Sequence, residues 1–396
     1  MTLARRIIDI EESPTMAVTA RATQLKASGQ PVIGFGAGEP DFPTPENIVE
    51  AAVRAARDPA SHRYSAASGL PELREAVATM MREQRSVPVE AAQVTITNGG
   101  KHGLYNVFMT LVTPGDEVVL SAPYWVSYPE QIRLCGGVPV VVDTTVDQGF
   151  LATVEQLEAV RTDRTRALVL VSPSNPTGAV HTPDEIEAIA RWAASHDIWV
   201  ITDEIYAQLV YGDATFRSAG SIDDEVREHV VIVDGVSKSH AMTGWRVGWT
   251  IAPAAVAAGI NKLQSHLTSN VCNVAQRAAL EALTGPQGTV ATMRDAFDRR
   301  RHLAVEHLSR IAGVTVAEPR GAFYVFPSFE GILGRELSGR TVHTTMDLAD
   351  VLLDTAHVAL VPGEAFGAPG HARLSYALGD EDLVEGITRI ADVLAQ

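Results

Sequence analysis

The stretch RALVLVSPSNPTGAVHTPDEIEAIARWAASHDIWVITD, residues 166–203, decides the fold. It begins and ends with short runs, 166–172 and 197–203, that are apolar on both faces and rich in Val, Ile and Leu, which is typical of buried parallel strands. Between these runs, residues 182–196 have a helical pattern, and Thr182 is a suitable N-cap for that helix. A strand, a helix and a second strand in this order predict an α/β fold with a parallel sheet.

The same alternation continues on both sides of this stretch, with helical patterns such as 100–112 between the strand candidates. Further strands are predicted at 93–97, 116–121, 137–143, 229–235 and 246–252. Together with the first two, they predict a large domain over residues 46–285 that contains a mainly parallel seven-stranded sheet.

Residues 286–396 have a different pattern. Helices are predicted at 287–311, 346–356 and from 381 onward, and short strands at 321–329, 358–362 and 372–378. This mixture predicts a smaller α+β domain, which we expect residues 1–45 to join. The cleft between two domains is a common place for a small ligand.

Composition excludes several classes of protein. The 396 residues include 32 Lys+Arg and 48 Asp+Glu, and the resulting net charge of −16 argues against binding to nucleic acid or to an anionic membrane. The two cysteines, Cys135 and Cys272, form neither a disulfide framework nor a zinc motif, so no metal site is predicted. Because there is no signal peptide and no apolar run of membrane-spanning length, we expect a cytoplasmic protein.

Polar residues follow two of the predicted strands, at the sheet edge where ligands bind in open α/β folds. Asn175 lies in a rigid turn between prolines after the strand 166–172, and Asp203 ends the strand 197–203, with Tyr206 one helical turn later. Each has a local explanation, since Asn175 suits a turn and Asp203 suits a helix N-cap. The alternative is an amide and an anion that point into a shared cleft.

A second group of candidates surrounds another strand end. Lys238 and Ser237 follow the strand 229–235, and a lysine near apolar walls can become a nucleophile toward carbonyls, although a solvated lysine is commoner. Arg246 could hold a phosphate or carboxylate. Backbone N–H groups of a helix that begins after Gly99-Gly100 could also bind phosphate, or the glycines could simply form a turn.

Arg373 lies among apolar residues in the predicted strand 372–378, where it needs an anionic partner. That partner is either an internal acid or the carboxylate of a substrate. Taken together, the candidates comprise a lysine for an imine, an acid for a pyridinium nitrogen, donors for a phosphate and an arginine for a carboxylate. These are the groups that pyridoxal-phosphate chemistry on an amino acid requires.

The chain closely resembles the class I pyridoxal-phosphate aminotransferases of fold type I, and most of all the bacterial aspartate aminotransferase subgroup that also contains prephenate aminotransferases. The resemblance covers nearly the whole chain. It is carried by SPTMAV (13–18), GAGEPDFPTP (36–45), HRYSAASGLPELREA (62–76), NGGKHGLYN (98–106), APYWVSYPE (122–130), SPSNPTGAV (172–180), DEIY (203–206), SKSHAMTGWRVGW (237–249), GAFYVF (321–326), VPGEAFG (361–367) and RLSYA (373–377).

The resemblance implies a role for each residue around the cofactor ring. Lys238 would bond covalently to the cofactor aldehyde and later act as acid and base. Asp203 would pair with the ring nitrogen. Asn175 and Tyr206 would bind the 3-oxygen of the ring, and Trp125 would stack on its face.

The resemblance also implies how the cofactor phosphate is held. The backbone of Gly100 and Lys101, together with Ser237 and Arg246, would bind it. Tyr64 would reach the same phosphate from a second subunit, so the resemblance implies a homodimer with shared active sites.

For the substrate, the resemblance implies that Arg373 clamps the α-carboxylate, with help from Asn175 and Gly38. Lys101 and Thr15 would receive the distal carboxylate of a dicarboxylic substrate. The leading expectation is therefore transfer of the amino group of aspartate to 2-oxoglutarate with ping-pong kinetics.

Alternatives to that substrate remain open. Leu267 and residues 271–273 depart from the usual polar, proline-containing pattern of the subgroup, in a stretch that approaches the neighbouring active site in the family. An aminotransferase for prephenate, aromatic or other amino acids, or a pyridoxal-phosphate lyase on the same fold, is the alternative function.

Overall fold

The computed structural model describes residues 3–12 and 14–396, so Ser13 of the SPTMAV motif lies outside the described residues. Within these ranges, no helix is long and apolar enough to cross a membrane. The helices are α1 (Arg5–Ile8), α2 (Pro14–Ala27), α3 (Glu46–Arg57), α4 (Pro71–Arg85), α5 (Gly100–Leu111), α6 (Ser127–Leu134), α7 (Val154–Val160), α8 (Pro183–Ser195), α9 (Asp224–Arg227), α10 (Ala254–Leu267), α11 (Asn273–Thr284), α12 (Gly288–Leu308), α13 (Thr345–Thr355) and α14 (Asp380–Leu394).

The strands are shorter than the helices. They are β1 (Ile33–Gly34), β2 (Val94–Thr97), β3 (Glu117–Ala122), β4 (Val138–Asp143), β5 (Thr165–Val171), β6 (Trp199–Asp203), β7 (Val230–Gly235), β8 (Gly248–Ile251), β9 (Tyr324–Val325), β10 (Glu336–Leu337), β11 (Arg340–Thr341), β12 (Val358–Ala359), β13 (Val361–Pro362) and β14 (Ala372–Ser375).

The central sheet has seven strands in the order β2-β8-β7-β6-β5-β3-β4. The strands β7, β6, β5, β3 and β4 pair in parallel, and β8 runs antiparallel to both of its neighbours. The prediction of a mainly parallel seven-stranded α/β sheet is therefore confirmed. Because β5, β6 and β7 are parallel neighbours, the residues that follow them emerge at one edge of the sheet.

Helices cover both faces of this sheet, as its apolar strands require. Along β5, Leu168 and Leu170 pack with α4, α8 and α11, while Val169 points to the other face, toward α5 and α10. The sequence sets the start of α8 as predicted, since Thr182 and Glu185 form a reciprocal capping box.

The C-terminal part contains a three-stranded antiparallel sheet, β13-β14-β9, and α12, α13 and α14 pack around it. Strand β1 joins this part by pairing in parallel with β12. The domain boundaries at 45 and 285 remain a prediction.

Three of the predicted strands in this part were wrong in extent. The run 372–378 forms a strand only at Ala372–Ser375. The run 321–329 forms a ladder only at Tyr324–Val325. It starts late because Ala322 has φ +57° and leaves the extended conformation. The run 358–362 is divided, since Val358–Ala359 pairs with β1 whereas Val361–Pro362 pairs with β14.

Candidate active site

A cavity of about 390 Å³ lies at the carboxyl edge of β5, β6 and β7, and residues of the N-terminal and C-terminal parts close it. The structure brings twelve of the predicted site residues to its wall. They are Thr15, Gly38, Gly100, Lys101, Trp125, Asn175, Asp203, Tyr206, Ser237, Lys238, Arg246 and Arg373.

Tyr64 is the predicted site residue that does not line this cavity. Its side chain is 92% exposed, on the segment between α3 and α4. If this tyrosine is to reach an active site, it would have to enter the cavity of a second chain, as the resemblance implies.

Lys238 lies on the loop after β7, half-buried, and its Nζ donates a hydrogen bond to the carbonyl oxygen of Gly38. Burial, and then the positive charge of Arg373, lower the pKa of Lys238 to about 8. The amine is therefore neutral more often than an exposed lysine at physiological pH, and a neutral amine is the nucleophilic form.

Asp203 ends β6, directly beside β7, and is buried. Its Oδ2 accepts a hydrogen bond from Tyr128 Oη at 2.8 Å, and its Oδ1 accepts one from the backbone N–H of Ile205 at 3.2 Å. Burial raises the pKa of Asp203 to about 6, while these hydrogen bonds favour the carboxylate. At neutral pH this group is an anion that a cationic ring nitrogen could approach.

Positive charge gathers at a second side of the cavity. Arg246 has φ +58°, an uncommon conformation for a residue other than glycine, and its Nη1 donates to the carbonyl of Thr243 at 2.8 Å. A Cβ at Gly99 would lie 2.8 Å from Arg246 Nη2, so glycine is what lets the guanidinium approach the start of α5. Burial, and then the charge of Arg246, lower the pKa of Lys101.

This corner therefore combines the guanidinium of Arg246 with the first backbone N–H groups of α5, which have no partner within the helix, and the ammonium of Lys101 lies beside it. Such a set of donors suits a multiply charged anion such as a phosphate monoester.

A third side of the cavity is formed by Arg373, which β14 carries into the interior. Its Nη1 donates to Asn175 Oδ1 at 3.0 Å and its Nη2 to the carbonyl of Gly36 at 2.9 Å. Its guanidinium lies 4.5 Å from the ring centroid of Tyr324.

No carboxylate pairs with Arg373 among residues 3–12 and 14–396, and its buried Nε has no hydrogen-bond partner there. An internal salt bridge is therefore ruled out within this part of the chain. A buried cation without an acid favours an incoming carboxylate.

Two tyrosines of the cavity wall were missed by the sequence reasoning. Tyr324 Oη lies 2.9 Å from Tyr206 Oη, and Tyr128 binds Asp203 as described above. Both residues lie inside motifs that carry the family resemblance, GAFYVF and APYWVSYPE. These motifs were the available signal for both residues.

An amine, a buried acid, an anion site and an unpaired arginine in one cavity define an enzyme that uses pyridoxal phosphate on amino acids. A comparison with known families matches residues 30–390 to the aminotransferases of class I and II. The chain belongs to this family of pyridoxal-phosphate-dependent transaminases, which confirms the predicted class of enzyme and its cofactor.

Known relatives are similar over the full length. An aspartate aminotransferase of Streptomyces avermitilis is 55% identical over 394 residues, covering 100% of this chain and 97% of the relative. A probable aspartate/prephenate aminotransferase of Aquifex aeolicus is 46% identical and covers 100% and 99%. The structure of Thermus thermophilus aspartate aminotransferase with maleate is similar at a TM-score of 0.93, with 40% identity and coverage of 99% and 100%.

Proposed function

We propose that the enzyme transfers the amino group of L-aspartate to 2-oxoglutarate. The observation that carries this choice of substrate is the pair of cations at separate sides of the cavity, Arg373 and Lys101. Both proposed substrates are dicarboxylates, so each could place one carboxylate at either cation. The maleate in the Thermus thermophilus structure is likewise a dicarboxylate.

The residues of the cavity fit pyridoxal phosphate. Arg246, Ser237 and the backbone of Gly100 and Lys101 would hold its phosphate, because donors and cations converge there. When bound, the cofactor supplies a ring that withdraws electrons from the bonds at the substrate Cα.

Around the ring, the chain supplies orientation and charge. Asp203 would accept a hydrogen bond from the protonated ring nitrogen, which its carboxylate stabilises as a cation. Asn175 and Tyr206 would bind the 3-oxygen, and Trp125 would cover one face of the ring.

The substrate would be bound at both ends. Arg373 would bind its α-carboxylate as a two-pronged donor, with Asn175 and Gly38 beside it. The ammonium of Lys101, which lies 4.8 Å from the ring centroid of Trp125, would bind the distal carboxylate together with Thr15. Two charged contacts fix the molecule in one orientation.

Lys238 would move the proton. Its amine would accept the proton from the substrate Cα and deliver it to the cofactor carbon within the same half-reaction, and the second half-reaction would run this transfer in reverse. Both directions need an amine that is neutral part of the time. Burial and the charge of Arg373 provide that state by lowering the pKa of Lys238 to about 8.

An activity panel on the purified holoenzyme tests this proposal. We expect aspartate and 2-oxoglutarate to give oxaloacetate and glutamate faster than any other pair. A higher rate with prephenate or an aromatic substrate would replace the substrate assignment, and release of a carbon or sulfur fragment would favour a lyase.

Lys238→Ala tests the chemistry itself. We expect it to abolish turnover and to prevent borohydride from linking the cofactor covalently to the chain, as read by mass spectrometry. Lys26→Ala, which changes an exposed lysine of α2, is the matched control. It should retain both turnover and covalent linkage of the cofactor by borohydride. Covalent capture of the cofactor by the Lys238→Ala protein would contradict the proposal.

We also propose that the enzyme acts as a cytoplasmic homodimer. The 92% exposure of Tyr64 and the 48% exposure of Leu267 leave large side chains outside the core of one chain, available to a second copy. Both cysteines are free, as is usual in a reducing compartment. Size-exclusion chromatography with light scattering measures the oligomeric state.

A further inference from the structure

Tyr128, in the wall of the cavity, contacts the acid at the centre of the site. It lies on α6, is 2% exposed, and its Oη donates to Asp203 Oδ2 at 2.8 Å. The other carboxylate oxygen receives the backbone N–H of Ile205. With one protein donor on each oxygen, the plane of the carboxylate is fixed.

The donor itself is held firmly. The ring of Tyr128 packs edge-on against Trp125, with centroids 5.3 Å apart and an interplanar angle of 82°. The backbone N–H of Tyr128 also donates to the carbonyl of Trp125 at 3.0 Å. One short segment therefore places both the aromatic ring of the cavity wall and the hydrogen bond to Asp203.

The direction of this hydrogen bond is unambiguous at physiological pH. Burial, and then the neighbouring Asp203, raise the pKa of the Tyr128 phenol well above its ordinary value, so the phenol keeps its proton. A phenol that donates to a carboxylate stabilises the ionised form of that carboxylate.

Other groups that face Asp203 raise or lower its pKa. Burial disfavours its charge, as does the carboxylate of Asp234 on β7, while Lys238 favours it. Tyr206, on the segment after β6, also interacts with Asp203. Among these groups, the phenol of Tyr128 is the side chain that offers Asp203 a direct hydrogen bond.

We propose that Tyr128 is a positioning residue that keeps the Asp203 carboxylate ionised and turned toward the nitrogen of the cofactor ring. The inference rests on the proposed function, because the ring nitrogen belongs to the cofactor. It adds a residue that acts on the cofactor through Asp203.

The test replaces Tyr128 by Phe, which keeps the ring and removes the hydroxyl. The first readout is the dissociation constant of pyridoxal phosphate, measured by equilibrium dialysis from about pH 5.5 to about pH 8. Without the hydrogen bond, the pKa of Asp203 should be about one unit higher. As the pH is lowered, binding of the cofactor should therefore begin to weaken about one pH unit higher than in the wild-type protein. Tyr124→Phe, a half-buried tyrosine four residues earlier, is the control and should leave the profile unchanged.

The second readout is a double-mutant cycle on kcat. If Tyr128 acts through Asp203, Tyr128→Phe should lower kcat about tenfold or more in the wild-type background and have little further effect when Asp203→Asn is already present. Equal losses in both backgrounds, or an unchanged pH profile of cofactor binding, would overturn the inference. Failure of the wild-type protein to bind the cofactor would instead count against the proposed function.

Discussion

Arg85 is the residue whose replacement tests most directly how the site is supported. It is the last residue of α4, and its side chain is only 6% exposed. Its Nη1 donates to Glu204 Oε2 at 2.8 Å and its Nη2 to Asp234 Oδ2 at 2.6 Å. One guanidinium therefore ties β7 to the residue directly after Asp203.

We expect Arg85→Met to destabilise the protein by about 3–5 kcal/mol, because it leaves two buried carboxylates without a cation. The side chains of Glu204 and Asp234 are 1% and 3% exposed, so water cannot replace the lost partner. A loss of that size is a large fraction of an ordinary folding free energy of about 5–15 kcal/mol.

The loss should depend on pH, with a sign that can be derived. Burial already raises the pKa of Glu204 to about 7 despite the opposing effect of Arg85, and it raises the pKa of Asp234 as well. Removing Arg85 raises both values further, so the folded variant binds more protons than the unfolded chain. Its stability deficit should therefore be small at about pH 5 and should grow toward about pH 8.

Urea unfolding followed by circular dichroism at both pH values measures this, at one protein concentration because association adds to apparent stability. Arg310→Met is the control, since Arg310 and Glu306 form an exposed pair with 65% and 55% side-chain exposure, and it should change little. A deficit at about pH 8 below about 1 kcal/mol, or one that shrinks as pH rises, would refute the reasoning.

Two further substitutions test separately how each carboxylate of the substrate is bound. Arg373→Ala should raise KM about 30-fold or more for aspartate and alanine alike, because both donors carry the α-carboxylate that this buried cation would bind; steady-state kinetics with an unchanged KM would remove its role. Lys101→Ala should lower kcat/KM for aspartate about tenfold or more and leave alanine nearly unaffected, since only aspartate has a distal carboxylate; equal losses for both donors would contradict the assignment.

Much of the fold was predictable because parallel strands have a strong local signature. The seven apolar runs became the seven strands of the central sheet, within two residues at nearly every end. Asn175, Asp203 and Lys238 were predictable for the same reason, since residues that follow parallel strands share one edge of a sheet.

Other features depend on contacts between distant parts of the chain. The hydroxyl pair of Tyr206 and Tyr324 joins residues 118 positions apart, which no local pattern can indicate. The late start of the predicted strand 321–329 follows from the left-handed backbone of Ala322, a conformation that alanine rarely adopts. The absence of an acid beside Arg373, within the described residues, could be seen only once the chain was folded.

The pairing of β1 with β12 has a consequence for synthesis in the cell. Residues 33–34 leave the ribosome long before residues 358–359, which complete their ladder, have been made. Arg373 likewise reaches back to the carbonyl of Gly36. A nascent chain can thus assemble its central sheet first, but the carboxylate-binding side of the cavity takes shape only after Arg373 has been made.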